Sequence, residues 1–254
     1  MQIEFLGTGT STGVPMIGCS CEVCRSADPR DNRLRSSVCL TVGDKNILID
    51  CGPDFRQQIL RSGIDHIDAV LLTHEHYDHI SGLDELRNFT WQTPIPVYAE
   101  PRVLNVVHDR FAYCFTDRPQ PGVAHLSLHA IDGLSTFSLF DIDVTPIRVW
   151  HSHLPIIGYR LGAFAYITDM STIDEIEYSK LASLDTLVVN ALRHKPHLSH
   201  QNLESALAFI SRIAPTRAYL THMSHQMGLY AVEEPKLPTK VSFAYDGLII
   251  EIPD

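Results

Sequence analysis

At 254 residues, with 44% hydrophobic and 20% charged side chains, the chain is long enough to bury a core, and disorder is excluded as its main state. Twenty Lys and Arg face 30 Asp and Glu, and this net charge of −10 argues against an extended nucleic-acid surface. No apolar run approaches a membrane span and Met1-Gln2-Ile3-Glu4 lacks the basic start of a signal peptide, so a cytoplasmic protein without a membrane partner is expected.

In chain order, short apolar runs rich in β-branched residues predict strands over 3–6, 37–42, 47–50, 69–73 and 95–98. A second set follows over 136–149, 157–161, 164–168, 186–189, 218–221, 241–245 and 248–252. Helical spacing between them predicts helices over 55–62, 82–89, 102–113, 173–184 and 201–213. The first strands need no crossover helix, which points to mixed sheets covered by helices. No linker long enough to separate domains interrupts residues 1–254, so a single domain is expected.

Chemistry concentrates at the ends of these strands. The chain carries 14 histidines and six cysteines, three of the latter within Cys19-Ser20-Cys21-Glu22-Val23-Cys24. Without an export signal, clustered cysteines are more often metal ligands than disulfides. Directly after the 69–73 run comes His74-Glu75-His76-Tyr77-Asp78-His79. Residues two apart at a strand end point the same way, so His74 and His76 can grip one ion, while Asp78 and His79 face a second as the chain turns into a helix. Imidazole with carboxylate suits zinc, manganese or iron. His151, Asp169 and His222 follow later strands and supply further donors. Cys19, Cys21 and Cys24 can wrap another ion, but a closed tetrahedral zinc needs a fourth ligand that spacing alone does not name. Cys39, Cys51 and Cys114 read as buried small side chains. Asp54 and Arg56 fit either a cleft or an ordinary helix start.

In order and spacing, Thr73-His74-Glu75-His76-Tyr77-Asp78-His79, His151, Thr168-Asp169 and Thr221-His222 resemble the metallo-β-lactamase superfamily. The resemblance runs from Gly7-Thr8-Gly9 to Asp246-Gly247. The opening Gly-Thr-Gly, the cysteine segment, Asp50-Cys51-Gly52 and Thr221-His222-Met223-Ser224-His225-Gln226 resemble in particular the phosphoribosyl 1,2-cyclic phosphate phosphodiesterases of the phosphonate (carbon–phosphorus lyase) pathway. That resemblance implies an α/β fold, a four-layer αβ/βα sandwich of two mixed sheets flanked by helices, with a dinuclear site between the sheets. It implies that His74, His76 and His151 hold one divalent metal, that Asp78, His79 and His222 hold the other, and that Asp169 bridges them. It names His225 as the fourth ligand of a structural zinc on Cys19, Cys21 and Cys24. It also implies that His200 is the general acid near the substrate phosphate, for which an unperturbed pKa of about 6.5 is suitable. His200 and Asp78 are thus the catalytic candidates, and His197 joins His200 as a substrate contact. The expected reaction is hydrolysis of a small, cyclic or open phosphodiester, with a homodimer among the oligomeric states left open. An RNase Z-like nuclease and a thioesterase or lactonase on the same fold are the alternatives.

Overall fold

The computed structural model describes residues 1–90, 93–116 and 122–253. Two mixed sheets pack face to face. The first has the order β15-β1-β2-β3-β4-β5-β6, with β1 (Gln2–Gly7), β2 (Ser37–Val42), β3 (Lys45–Ile49), β4 (Ala69–Leu71), β5 (Ile95–Ala99), β6 (Leu126–Ala130) and β15 (Ile249–Glu251). The second has the order β11-β8-β9-β10-β12-β13-β14, with β7 paired to β8. Its strands are β7 (Phe137–Leu139), β8 (Ile142–His151), β9 (Leu154–Leu161), β10 (Phe164–Ile167), β11 (Thr172–Ile173), β12 (Thr186–Asn190), β13 (Arg217–Thr221) and β14 (Val241–Phe243). Each sheet is antiparallel along one half and parallel along the other, with the change at β3 in the first and β10 in the second.

The alternation of each strand explains the four layers. Ile47 and Ile49 on β3 face the second sheet and meet Tyr159, Phe164 and Tyr166, while Leu48 between them faces outward. The outward residues of the first sheet are covered by α1 (Phe55–Ser62) and α3 (Pro101–Arg110), through Phe55, Val103 and Val107. On the far side, Leu187, Val189 and Leu220 pack beneath Ala206, Phe209 and Ile210 of α4 (Leu203–Ile213). The arrangement is the αβ/βα sandwich expected from the resemblance. Among the described residues, no helix is long and apolar enough to cross a membrane.

Several elements differ from the sequence expectation. The run over 136–149 is two strands joined at Phe140 and Asp141, which both take positive φ (52° and 63°) in a two-residue hairpin. That turn ordinarily selects Asn-Gly, so no hairpin signal stood in the sequence. The segments Leu83–Phe89 and Glu175–Leu181 coil as 3₁₀ rather than α-helix. Strand β6 was not anticipated at all; it adds in parallel to β5, and its burial fades towards its exposed end.

Two backbone segments meet beneath the end of β4. Cys51 N donates to His79 O and Gly82 N donates to Cys51 O, at 2.7 and 2.9 Å. A Cβ on Gly52 would sit 2.1 Å from Asp78 O, so only glycine allows the approach. Gly52→Ala is therefore expected to cost about 3 kcal/mol or more in urea unfolding, because the obstacle is backbone and cannot rotate away. A cost under 1 kcal/mol would contradict this packing.

Candidate metal centre

The loops after β3, β4, β8, β10 and β13 open at the same edge of the sandwich. His74 and His76 follow β4, and Asp78 and His79 lie on the single turn α2 (Tyr77–Ile80). His151 ends β8, Asp169 follows β10 and His222 follows β13. Three groups of donor atoms each fall within 4.8 Å of one another: His74, His79 and Asp169; Asp78, His79 and His222; and His151, Asp169 and His200. His76 joins them through Nδ1, 3.0 Å from His74 Nε2. The structure thus brings together all seven residues singled out as catalytic-site ligands. Asp169 occurs in two of the groups, with Oδ2 3.2 Å from His79 Nε2 and Oδ1 3.1 Å from His222 Nε2.

The hydrogen bonds set which ring nitrogens face inward. His79 Nδ1 donates to Asp50 Oδ2 at 2.7 Å, His74 Nδ1 donates to Thr73 Oγ1 at 2.9 Å, and His151 Nδ1 donates to the carbonyls of Asp169 and Ser199. With the proton on Nδ1, Nε2 presents a lone pair, which is how a histidine ligand is usually held. His79 Nε2 and both nitrogens of His222 are buried without a hydrogen-bond partner. Lone pairs of imidazole and carboxylate thus point at one another, an arrangement that a cation resolves. The donor set suits a borderline or hard divalent ion, so the residues fit the metals that such a site implies. The charges bear the same mark. Burial alone would push His79 down, yet Asp78, Asp169 and Asp50 drive its pKa well above the usual histidine value. Burial opposes the charge on Asp169 too, but His222 and His79 hold it well below the carboxylate range.

Asp50 is the residue that the sequence reading passed over as a mere marker. It is wholly buried, takes φ 62°, and accepts from Thr73 N, Thr73 Oγ1 and His79 Nδ1. Its only sequence signal was its place at the end of a strand, directly before Cys51-Gly52.

His200 lies inside the donor cluster rather than beside it. Its Nε2 donates to Asp169 Oδ1 at 3.0 Å, and burial pushes its pKa down to about 4, below the value that made it attractive as an acid. His197 is exposed, its Nδ1 3.2 Å from His200 Nδ1. Asp54 belongs to the framework: it accepts from Arg35 N at 2.8 Å and pairs with the Arg35 guanidinium. Arg56 lines a groove between α1 and the 83–89 segment, on the outer face.

The sulfur atoms of Cys19 and Cys21 each stand 3.3 Å from His225 Nδ1, and Cys24 completes a group within 4.8 Å. The Cys24 backbone N–H and His225 lower the Cys21 thiol to about 6, whereas burial raises Cys24 to about 11. Four donors converging from two distant stretches of chain match a closed tetrahedral site.

Asp50→Ala would leave three buried donors without an acceptor. A loss of about 3–5 kcal/mol is expected in urea unfolding of metal-free protein, the usual cost of breaking a buried charged network. An unchanged midpoint would show that Asp50 does not hold the loop.

Comparison with known proteins gives the family. The family model for the beta-lactamase superfamily domain matches residues 45–223. An octanoyltransferase of Porphyromonas gingivalis (strain ATCC BAA-308 / W83) is 46% identical over 250 residues, which cover 98% of this chain and 51% of that protein. The chain therefore spans about half the length of that relative. Coenzyme PQQ synthesis protein B of Methylorubrum extorquens (strain PA1) is 37% identical over 221 residues, covering 74% of this chain and 72% of that protein. The crystal structure of a diphosphatase from the PhnP family superimposes with a TM-score of 0.92 at 38% identity, covering 98% of this chain and 96% of that one. The chain belongs to the metallo-β-lactamase superfamily.

Proposed function

We propose that the chain is a dinuclear metal-dependent phosphodiesterase acting on a small phosphodiester, phosphoribosyl 1,2-cyclic phosphate being the type of substrate that fits. His74, His76 and His151 would hold one ion and Asp78, His79 and His222 the other, with Asp169 reaching both; His200 and Asp78 carry the catalytic roles. Two divalent ions in such a site supply Lewis acidity towards phosphoryl oxygens and a nucleophile drawn from water at neutral pH. The observation that carries the reading is His200: an imidazole beyond the ligands needed, with Nε2 3.0 Å from the central carboxylate Asp169. Its two ring nitrogens face Asp169 and the exposed His197, which supports a role towards the leaving side of a phosphate.

Hydrolysis adds the oxygen of water to phosphorus, breaks one P–O bond and returns a proton to the departing oxygen. His200 Nε2–H is the proton source. At neutral pH its buried ring is uncharged, but a phosphate anion against it favours the protonated form and raises its pKa into a working range. Asp78 stays ionised between His79 and His222, a carboxylate that can orient the attacking water. The cysteine cluster would hold one structural zinc.

A second reading is hydrolysis of a diphosphate, favoured by the PhnP-family diphosphatase at 38% identity. A phosphate leaving group is stable as an anion and depends less on His200. The octanoyltransferase relative is twice as long as this chain, and its name does not point to a phosphorus ester. A thioester is therefore included among the test substrates.

Manganese- or zinc-loaded protein assayed on 2′,3′-cyclic AMP, bis(p-nitrophenyl) phosphate, a diphosphate and an octanoyl thioester separates these readings. His200→Ala should depress 2′,3′-cyclic AMP hydrolysis about 10²–10⁴-fold, and bis(p-nitrophenyl) phosphate hydrolysis far less, because p-nitrophenolate hardly needs a proton. Metal content should not change. Equal losses on both would assign the imidazole to phosphate binding, and thioester cleavage alone would overturn the phosphorus reading.

Cys21→Ser should lose one zinc by elemental analysis and lower the melting temperature, since metal binding free energy becomes folding free energy. A variant of unchanged zinc content and stability would remove the structural role.

A further inference from the structure

Residues 193–200 form a loop without regular structure, closed at its base where Leu192 N donates to Gln201 O at 2.9 Å. Its root is rigid: Leu203 N donates to Arg193 O, and Asn202, which caps α4 by accepting from Ser205 N, donates from Nδ2 to His194 O. The far side is tied to the donor cluster by His151 Nδ1 on Ser199 O at 2.7 Å. Between these ends the loop crosses exposed residues, with Leu198 94% exposed, and His194 ties it to the body through Nε2, 3.0 Å from Met227 O and 3.3 Å from Glu233 Oε2.

What fills it is its own first side chain. The Arg193 guanidinium turns back inside the loop and donates from Nε to Lys195 O at 3.1 Å and from Nη2 to Pro196 O at 2.9 Å. Its Nη1 donates to Gln226 Oε1 at 2.9 Å, on the segment that carries His225. Compact loops of this length, with joined ends and a side chain of their own as filling, are often functional. The planar fork spans several acceptors at once, which an ammonium cannot do.

We infer that Arg193 is the positioning residue of the His197–His200 loop, the strut that holds the His200 imidazole against the donor cluster. The inference rests on the reading of His200 as proton donor. Arg193, His194, Lys195 and Gln226 also border a cleft of about 490 Å³, so direct anion binding by the guanidinium is the rival role. Its three hydrogen bonds within the protein argue for the strut.

The test uses metal-loaded Arg193→Ala and Arg193→Lys, alone and combined with His200→Ala. Misplacing a catalytic group by about 1 Å can cost 10²-fold, so Arg193→Ala should lower kcat for 2′,3′-cyclic AMP about 10–100-fold, with KM within about twofold. Hydrolysis of bis(p-nitrophenyl) phosphate should fall less than about threefold, as for the general acid itself. Arg193→Lys should recover only a minor part, and Arg193→Ala should add nothing in the His200→Ala background. Independently of activity, diethyl pyrocarbonate labelling read by peptide mass spectrometry should become faster at His200 but not at His151. Unchanged labelling, an additive double variant, or a KM rise equal on both substrates would overturn the positioning role. If His200→Ala shows no leaving-group dependence, the proton-donor reading fails, and the labelling of His200 still decides whether Arg193 positions it.

Discussion

Everything at the open edge of this sandwich follows from one electrostatic constraint: imidazole and carboxylate lone pairs must be held about 3 Å apart, facing each other, away from water. Left free, such groups would rotate apart or take up protons, as the raised pKa of His79 indicates. The fold prevents rotation with fixed acceptors behind the rings, Asp50 behind His79, Thr73 behind His74, and the Asp169 and Ser199 carbonyls behind His151. It also accepts backbone strain. Asp50, Asp169 and His222 all take positive φ, a conformation costing non-glycine residues on the order of 1 kcal/mol or more each. That strain persists because each residue lies within two positions of the end of a strand whose last two residues are buried and paired on both sides.

The two sheets offer this edge for a shared topological reason. Each changes from antiparallel to parallel pairing at one strand, β3 or β10, and each of these strands is followed within two residues by a buried aspartate, Asp50 or Asp169. The parallel strands beyond it all end on the same side, so their following loops converge there, as in other open α/β sheets. Asp50 supports the donors from behind, and Asp169 stands among them.

The candidate ligand residues were legible in the sequence because they follow apolar runs, and polar residues at strand ends gather at the common edge. The expected partition into two separate triads is less sharply drawn in space: His74 groups with His79 and Asp169, and His200 joins His151 and Asp169. Asp50 escaped because its task is to accept hydrogen bonds from residues more than twenty positions away, and no local pattern encodes a distant donor. Strand β6 escaped because an edge strand needs only one covered face, and the Phe140-Asp141 hairpin because a bulky Phe rarely takes positive φ and no glycine marks the turn. The 3₁₀ segments carry helical periodicity but are too short for it to distinguish i+3 from i+4 bonding.

The stretch after β13 explains why so distant a cysteine cluster bears on the same edge. His222 is followed by Met223, which exchanges backbone hydrogen bonds with the amino-terminal loop: Met223 N donates to Thr8 O, and Thr10 N donates to Met223 O. Ser224 then anchors to Leu192 O through both N and Oγ, His225 meets Cys19 and Cys21, and Gln226 receives Arg193. Five consecutive residues thus gather a candidate ligand, the first loop, the cysteines and the His197–His200 loop. Only one of the five, His222, belongs to the donor cluster; the other four fix the frame in which its unpartnered ring must point. A cluster of converging lone pairs can be kept in register only by a frame stiffer than the repulsion it opposes. In this chain that frame is built from segments that are far apart in sequence and share this single anchor.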